Sequence, residues 1–375
     1  MKNPLQRVSD YGQSIWLDYI RRKFIASGEL KKLIDEDDLR GVTSNPAIFE
    51  EAIAKSDDYN ESIAELTKQG KTPEEIFLSI AVEDVRAAAD LFKGVYERTN
   101  ALDGYVSLEV SPSLALNTEG TITEARSSWK LLDRKNVMIK VPGTKEGLPV
   151  IEQLISEGIN VNVTLLFSLD RYREVAEAYV AGIERRLANG ESVDNVASVA
   201  SFFLSRIDSL VDPMLEAAIK DNPEKEAAAR KILGKVAISS AQAAYQIYKD
   251  IFKSERFKAL EAKGAKPQRL LWASTSTKNP AFADTMYVEA LIGPETVNTV
   301  PVETLNAYRD HGNPEARLDG TYEEARYVLY QLEDVVGISL PEVTQKLEDE
   351  GIQKFIKPFD SLMKTIADKK GEVAV

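Results

Sequence analysis

The sequence predicts an α/β protein, a single (β/α)8 TIM barrel with extra helices, and three observations predict it. Eight short apolar or alternating segments recur along the 375 residues, with helical patterns between them, as expected of parallel βα units in one sheet. Eight strands in one domain of this size favour closure into a barrel, and the GxGxxG turn usual in an open doubly wound sheet is absent. No repeat, low-complexity tract or linker breaks the alternation, so residues 1–375 read as one barrel domain, with a helical insert at about 208–266 and C-terminal helices at about 304–375.

The first strand is expected over SIWLDYI, residues 14–20, where Asp18 sits among aromatic and β-branched neighbours. That carboxylate reads equally as a cap, a salt-bridged group or a functional one, because the following IRRKFIASGELKKLI looks helical and basic. In LRGVTSNPAIFEEAI a brief extended segment ends at Thr43-Ser44-Asn45-Pro46 and turns into a helix. Asn45 can cap that helix and still lie at the strand's mouth. Residues 57–101 read as helices with a core-facing stripe.

GYVSLEVSP, residues 104–112, alternates with period two, so Val106, Leu108 and Val110 share one face and Ser107 and Glu109 the other. After the helix TITEARSSWKLLDR comes NVMIKVPGTKEG, residues 136–147, in which Lys140 faces opposite to Val137, Ile139 and Val141. If these two strands are neighbours, Glu109 and Lys140 share a cavity. KEGLPVIEQLISEG is helical, and INVNVTLLFS, residues 159–168, sets Val161, Val163 and Leu165 against Asn160, Asn162 and Thr164. After the long helix DRYREVAEAYVAGIERRLANG, strands are expected within NVASVASFFLSR (195–206), RLLWASTST (269–277) and TVNTVPVET (296–304). About 60 largely helical residues separate the first two of these, more than one crossover needs. The remainder reads as helices parted by Gly and Pro turns.

Composition narrows the chemistry. A formal charge of −13 argues against nucleic acid or an anionic membrane as partner. No apolar stretch reaches the roughly 18 residues that span a bilayer, and MKNPLQRVSD lacks a signal-peptide core, so a cytoplasmic location is expected. With no cysteine there is no thiol nucleophile and no thiolate-bound metal, and the one histidine, His311, lies in the polar stretch YRDHGNP. No metal site is expected, and proton transfers fall to carboxylates or a lysine.

Asp18, Asn45, Glu109, Lys140, Thr164, Ser201 and Ser274 fall at or near the C-terminal ends of seven successive strand candidates. In a barrel those ends converge on one mouth. A lysine in low-dielectric surroundings can attack a carbonyl as the free amine. The Schiff base it forms is an electron sink, and Asp18 and Glu109 are placed to move protons during cleavage of an adjacent carbon–carbon bond. The alternative is a buried ion pair between Lys140 and Asp18 or Glu109 that only orders the barrel.

From about residue 10 to 312 the chain resembles the transaldolases of the pentose phosphate pathway, through GVTSNPAIF, SLEVSP, IKVPGT, GINVNVTLLFS and WASTSTKNP. The resemblance implies that Lys140 forms the Schiff base with the ketose C2 and that Asp18 is base and acid at the C4 hydroxyl. It implies that Glu109 and Thr164 hold a proton-carrying water, and that Asn45 and Asn162 orient the substrate hydroxyls and the imine. Ser201, Phe203 and Arg206 match the segment that packs on the substrate and grips its phosphate, and Ser274 adds a hydroxyl. Many relatives carry a second arginine where this chain has Ser276, so Lys278 is expected to supply the second cation. The implied reaction moves a dihydroxyacetone unit from a ketose phosphate to an aldose phosphate, without a cofactor, and leaves a homo-oligomer open. An aldolase of the same architecture and a silent sugar-phosphate-binding barrel are the rival readings.

Overall fold

The structure, a computed structural model, describes residues 2–373. Eight parallel strands close into a barrel: β1 (Gln13–Asp18), β2 (Gly41–Thr43), β3 (Tyr105–Glu109), β4 (Val137–Pro142), β5 (Val161–Leu166), β6 (Ser198–Phe203), β7 (Arg269–Ala273) and β8 (Thr296–Val300). They neighbour one another in chain order, and β8 pairs with β1 to complete the ring. Seven lie within the segments expected from the sequence, and β1 begins one residue earlier, at Gln13. The (β/α)8 expectation therefore holds.

Period two sorts each strand into two sets. Ile139, Val141, Val161, Val163, Leu270 and Trp272 are fully buried, and their apolar faces seal the barrel against the surrounding helices. Trp16 points the other way and crosses the interior: a Cβ at Gly41 would lie only 2.5 Å from its ring, so β2 begins with the one residue that leaves room for the indole.

Four helices join β6 to β7: Ser205–Asp221, Pro223–Ile232, Val236–Phe252 and Glu255–Glu261. The third is almost wholly buried, and its start is fixed by side chains of the first. The carboxylate of Asp208 accepts from the Ala237 amide at 2.8 Å and that of Asp212 from the Gly234 amide at 2.9 Å. Carboxylates at a helix start satisfy otherwise free amides and complement the helix dipole.

One helical expectation is corrected. The stretch expected as one helix after β1 is broken at Gly28 (φ +84°) into Arg22–Ala26 and Glu29–Asp37, because a left-handed residue cannot continue an α-helix. The C-terminal segment 341–367, which reads as helical, does form one helix, Leu340–Val373, with Gly351 and Pro358 inside it. Interior proline costs about 3 kcal/mol, which burial of Leu347, Ile352, Phe355, Leu362 and Ile366 offsets. This last helix packs on Pro46–Ala54 and Pro73–Arg98 and crosses the C-terminal side of the barrel. Among the described residues no helix is long and apolar enough to cross a membrane; residues 374–375, assigned with the C-terminal helices, lie outside the described residues.

Candidate active site

β4 carries Lys140 into the mouth of the barrel, where it is 4 % exposed. Its Nζ donates to the Ser44 carbonyl at 3.2 Å and lies 3.3 Å from Glu109 Oε2. Glu109 is there because β3 pairs with β4 in a register that sets it directly opposite Lys140. Burial pushes the Glu109 carboxyl up to about 7, although Lys140 pulls the other way. Its side chain is only 7 % exposed, so the desolvation cost of the carboxylate outweighs the attraction of one ammonium.

Asp18 ends β1. Thr43 Oγ1 on β2 donates to its Oδ1 at 2.7 Å and lies 2.7 Å from Thr299 Oγ1 on β8, so three adjacent strands fix the carboxylate. Burial raises the Asp18 pKa, against the opposing pull of Lys140, the Thr43 hydrogen bond and Arg206. Both mouth carboxyls therefore hold a proton more readily than they would in water.

Beneath them runs a chain of polar side chains. Ser201 Oγ donates to Asn162 Oδ1 at 2.7 Å, and Asn162 Nδ2 donates to Ser107 Oγ at 3.1 Å, linking β6, β5 and β3. Among the described residues Thr164 Oγ1 is buried without a hydrogen-bond partner and Glu109 Oε2 has only the Lys140 ammonium at 3.3 Å, an arrangement that costs free energy until a water or ligand atom satisfies it. The strict alternation expected in β5 fails just after Thr164. Leu165 adopts φ +61° as the register shifts between Val163 and Leu166, so it leaves the row of Val161 and Val163 and lies against Gly351. Ser274, at the end of β7, is also left-handed (φ +55°). Strained non-glycine residues at strand ends re-aim side chains and cluster at functional sites.

The far side of the mouth is cationic. Arg206, in the first turn of Ser205–Asp221, places its guanidinium carbon 5.3 Å from the Phe203 ring centre and 5.7 Å from that of Phe355. Among the described residues its buried NH1 has no hydrogen-bond partner, and burial lowers its pKa against the pull of Asp18 and Glu109. Unpaired guanidinium donors held by aromatic faces are suited to a bidentate oxyanion. Ser274 Oγ lies 2.8 Å from Ser205 Oγ, and the exposed Lys278 donates to Ser276 Oγ at 2.7 Å.

Eight of the residues singled out in the sequence, Asp18, Asn45, Lys140, Ser201, Phe203, Arg206, Ser274 and Lys278, line one cavity of about 230 Å³. Glu109, Asn162 and Thr164 are not on its wall: Glu109 lies beside Lys140 and faces a neighbouring recess, Asn162 pairs in register with Lys140, and Thr164 follows on the same strand. Asn45 does both things the sequence allowed: its Oδ1 accepts from the Ile48 amide at 3.1 Å as a helix cap, and it lines the cavity. Thr43, Thr299 and Phe355 also line it and were not singled out. The period-two pattern of TVNTV could have exposed Thr299, but nothing local marks Phe355. His311 ends the helix Val302–His311 on the surface, beside Asp284 and Asp310, away from the mouth. Among the described residues no group of three or more histidines and carboxylates is arranged to hold a metal ion.

The chain is 50 % identical over 370 residues to a protein of Trichodesmium erythraeum named transaldolase, covering 98 % of this chain and 97 % of that one. It is 50 % identical over 371 residues to transaldolase 2 of Nostoc punctiforme, at 98 % and 97 % coverage, and 46 % identical over 370 residues to the transaldolase of Thermobifida fusca, at 98 % and 99 %. A family model described as transaldolase/fructose-6-phosphate aldolase matches residues 15–366. With Lys140, Glu109 and Asp18 gathered at the mouth of a closed eight-stranded barrel, the chain belongs to the transaldolase/fructose-6-phosphate aldolase family.

Proposed function

We propose that this protein is a transaldolase, moving a dihydroxyacetone unit from a ketose phosphate (sedoheptulose 7-phosphate or fructose 6-phosphate) to an aldose phosphate (glyceraldehyde 3-phosphate or erythrose 4-phosphate). The observation that carries the reading is Lys140. Its amine lies 3.3 Å from a carboxyl poised near neutrality and faces a cavity that also holds Arg206, whose NH1 has no hydrogen-bond partner among the described residues.

In this reading the donor's phosphate rests on Arg206 and Lys278, with Phe203 packed beside it, and its C2 carbonyl faces Lys140. Glu109 takes the ammonium proton, which leaves a nucleophilic amine. The amine attacks C2, and Glu109, with a water held between it and Thr164, returns the proton that lets hydroxide leave as water from the carbinolamine. The cationic imine draws electrons as Asp18 removes the C4 hydroxyl proton, so the C3–C4 bond breaks and the first aldose departs. Asn45, Asn162 and Ser201 orient the hydroxyls and the imine nitrogen. The enamine then attacks the acceptor aldehyde, Asp18 gives its proton to the new alkoxide, and water releases the longer ketose.

The insert and the C-terminal helices belong, in this reading, to the same domain as the barrel. A cytoplasmic pentose phosphate role goes with it. The test is to supply fructose 6-phosphate with erythrose 4-phosphate in the presence of a strong chelator. Sedoheptulose 7-phosphate and glyceraldehyde 3-phosphate are the expected products; no transfer, or transfer restored only by a divalent metal, overturns the reading. The aldolase alternative predicts free dihydroxyacetone at the same rate with or without acceptor.

A further inference from the structure

The C-terminal helix Leu340–Val373 reaches the reacting atoms through three successive turns of one face. At Gly351 it passes so close to the barrel that a Cβ would lie 3.1 Å from a Leu165 methyl and 3.8 Å from Arg206 NH1. One turn on, Phe355, 7 % exposed, walls the cavity with its ring centre 5.8 Å from Lys140 Nζ and 5.7 Å from the Arg206 guanidinium carbon. Another turn on, Phe359 stacks edge-on against Phe77 at 5.9 Å and closes a small apolar recess beside Glu109.

The ring of Phe355 is the apolar group over the lysine nitrogen, in a cavity otherwise walled largely by hydroxyls, amides and charges. A ring face so placed suits positive charge on the nitrogen, and its bulk takes up space on that side of the amine.

We propose that Phe355 is the positioning residue that sets transfer against release, by shielding the three-carbon enamine on Lys140 from protonation until an acceptor aldehyde arrives. This rests on the reading of Lys140 as the Schiff-base lysine. In the release route the enamine carbon takes a proton to give the iminium, water adds at C2, and the C2–N bond breaks. One water is consumed, and dihydroxyacetone and the free amine are the products. In the transfer route the same carbon forms a bond to the acceptor's carbonyl carbon, and the proton on Asp18 goes to the new alkoxide. The two routes share every residue up to the enamine and diverge only in what reaches its C3, two bonds from the nitrogen that the Phe355 ring faces.

The experiment compares wild type, Phe355→Ala and Phe355→Leu. One assay measures free dihydroxyacetone from fructose 6-phosphate alone; the other measures transfer to erythrose 4-phosphate. Phe355→Ala is expected to raise the ratio of release to transfer by about tenfold, with Phe355→Leu between it and wild type. A helix that merely loosens lowers both rates together, so an unchanged or smaller ratio overturns the proposal. Should the alanine variant fail to fold, the leucine variant, which keeps most of the buried volume, carries the same ratio test. Borohydride trapping with fructose 6-phosphate is run beside each assay: a Lys140 adduct with an unchanged ratio overturns the role of Phe355 alone, and its absence in wild type takes the Schiff-base reading down with it.

Discussion

The two ends of the barrel bury charge in opposite ways. At the bottom, Asp103 is fully buried, yet every direction around it offers a donor: Ser14 Oγ at 2.7 Å, Trp16 Nε1 at 3.1 Å, Arg269 at 2.8 Å and Arg40 at 3.6 Å. Burial alone would raise its pKa, but Arg269, Ser14 and Arg40 outweigh that and hold it below the usual value. At the mouth, Glu109 and Asp18 are pushed up, and among the described residues Thr164 Oγ1 and Arg206 NH1 have no hydrogen-bond partner while Glu109 Oε2 has only Lys140 at 3.3 Å. A satisfied buried charge closes the barrel, whereas an unsatisfied one is ready for a substrate.

The largest effect should come from the mouth. Lys140→Ala is expected to lower turnover by about 10⁴-fold or more, while circular dichroism and thermal unfolding change little because Glu109 can take a proton once its partner is gone. At the bottom the expectation reverses. Asp103→Ala strands Arg269 inside the barrel and should cost about 3–5 kcal/mol in denaturant unfolding, with kcat of the folded fraction preserved. Because the Asp103 pKa is depressed in the fold, its contribution is present above the ordinary aspartate value and is lost as pH falls through the folded one. A loss of kcat in Asp103→Ala without a loss of stability would break the contrast.

Glu109→Gln should lower kcat/KM by about 10²–10³-fold. In wild type the carboxylate is the form populated above pH 7, so kcat/KM should fall as the pH drops through about 7, and the glutamine variant should lose that limb. A limb that survives the substitution assigns it to another group. Smaller still, Arg206→Ala should raise KM for fructose 6-phosphate by about 10²-fold and Lys278→Ala by about threefold, because only the first cation is desolvated. Neither should alter KM for unphosphorylated fructose, and equal effects on both donors would contradict the phosphate assignment.

What could be read from the sequence follows from how each feature is built. Lys140, Glu109 and Asn162 were legible because strand periodicity is local: one residue's parity fixes its face, and closure in chain order then brings the three together. The bulge at Leu165 was not, since VNVTLL alternates or runs apolar without a glycine or proline to mark an extra residue. Phe355 was hidden for a different reason. It reads as one more core residue of an amphipathic helix, and only the path of that helix across the mouth, more than 200 residues from Lys140 in sequence, sets its ring beside the amine. Arg269 likewise opens RLLWA as a charged strand end, and its partner Asp103 lies in a loop that no spacing connects to it.

The most direct test of the contrast between the two ends is chemical capture at the mouth. Protein incubated with fructose 6-phosphate is reduced with borohydride, digested and mapped by mass spectrometry. A single stable adduct on Lys140, absent without sugar, is the predicted result; modification of another lysine, or none, contradicts the assignment of Lys140 as the nucleophile.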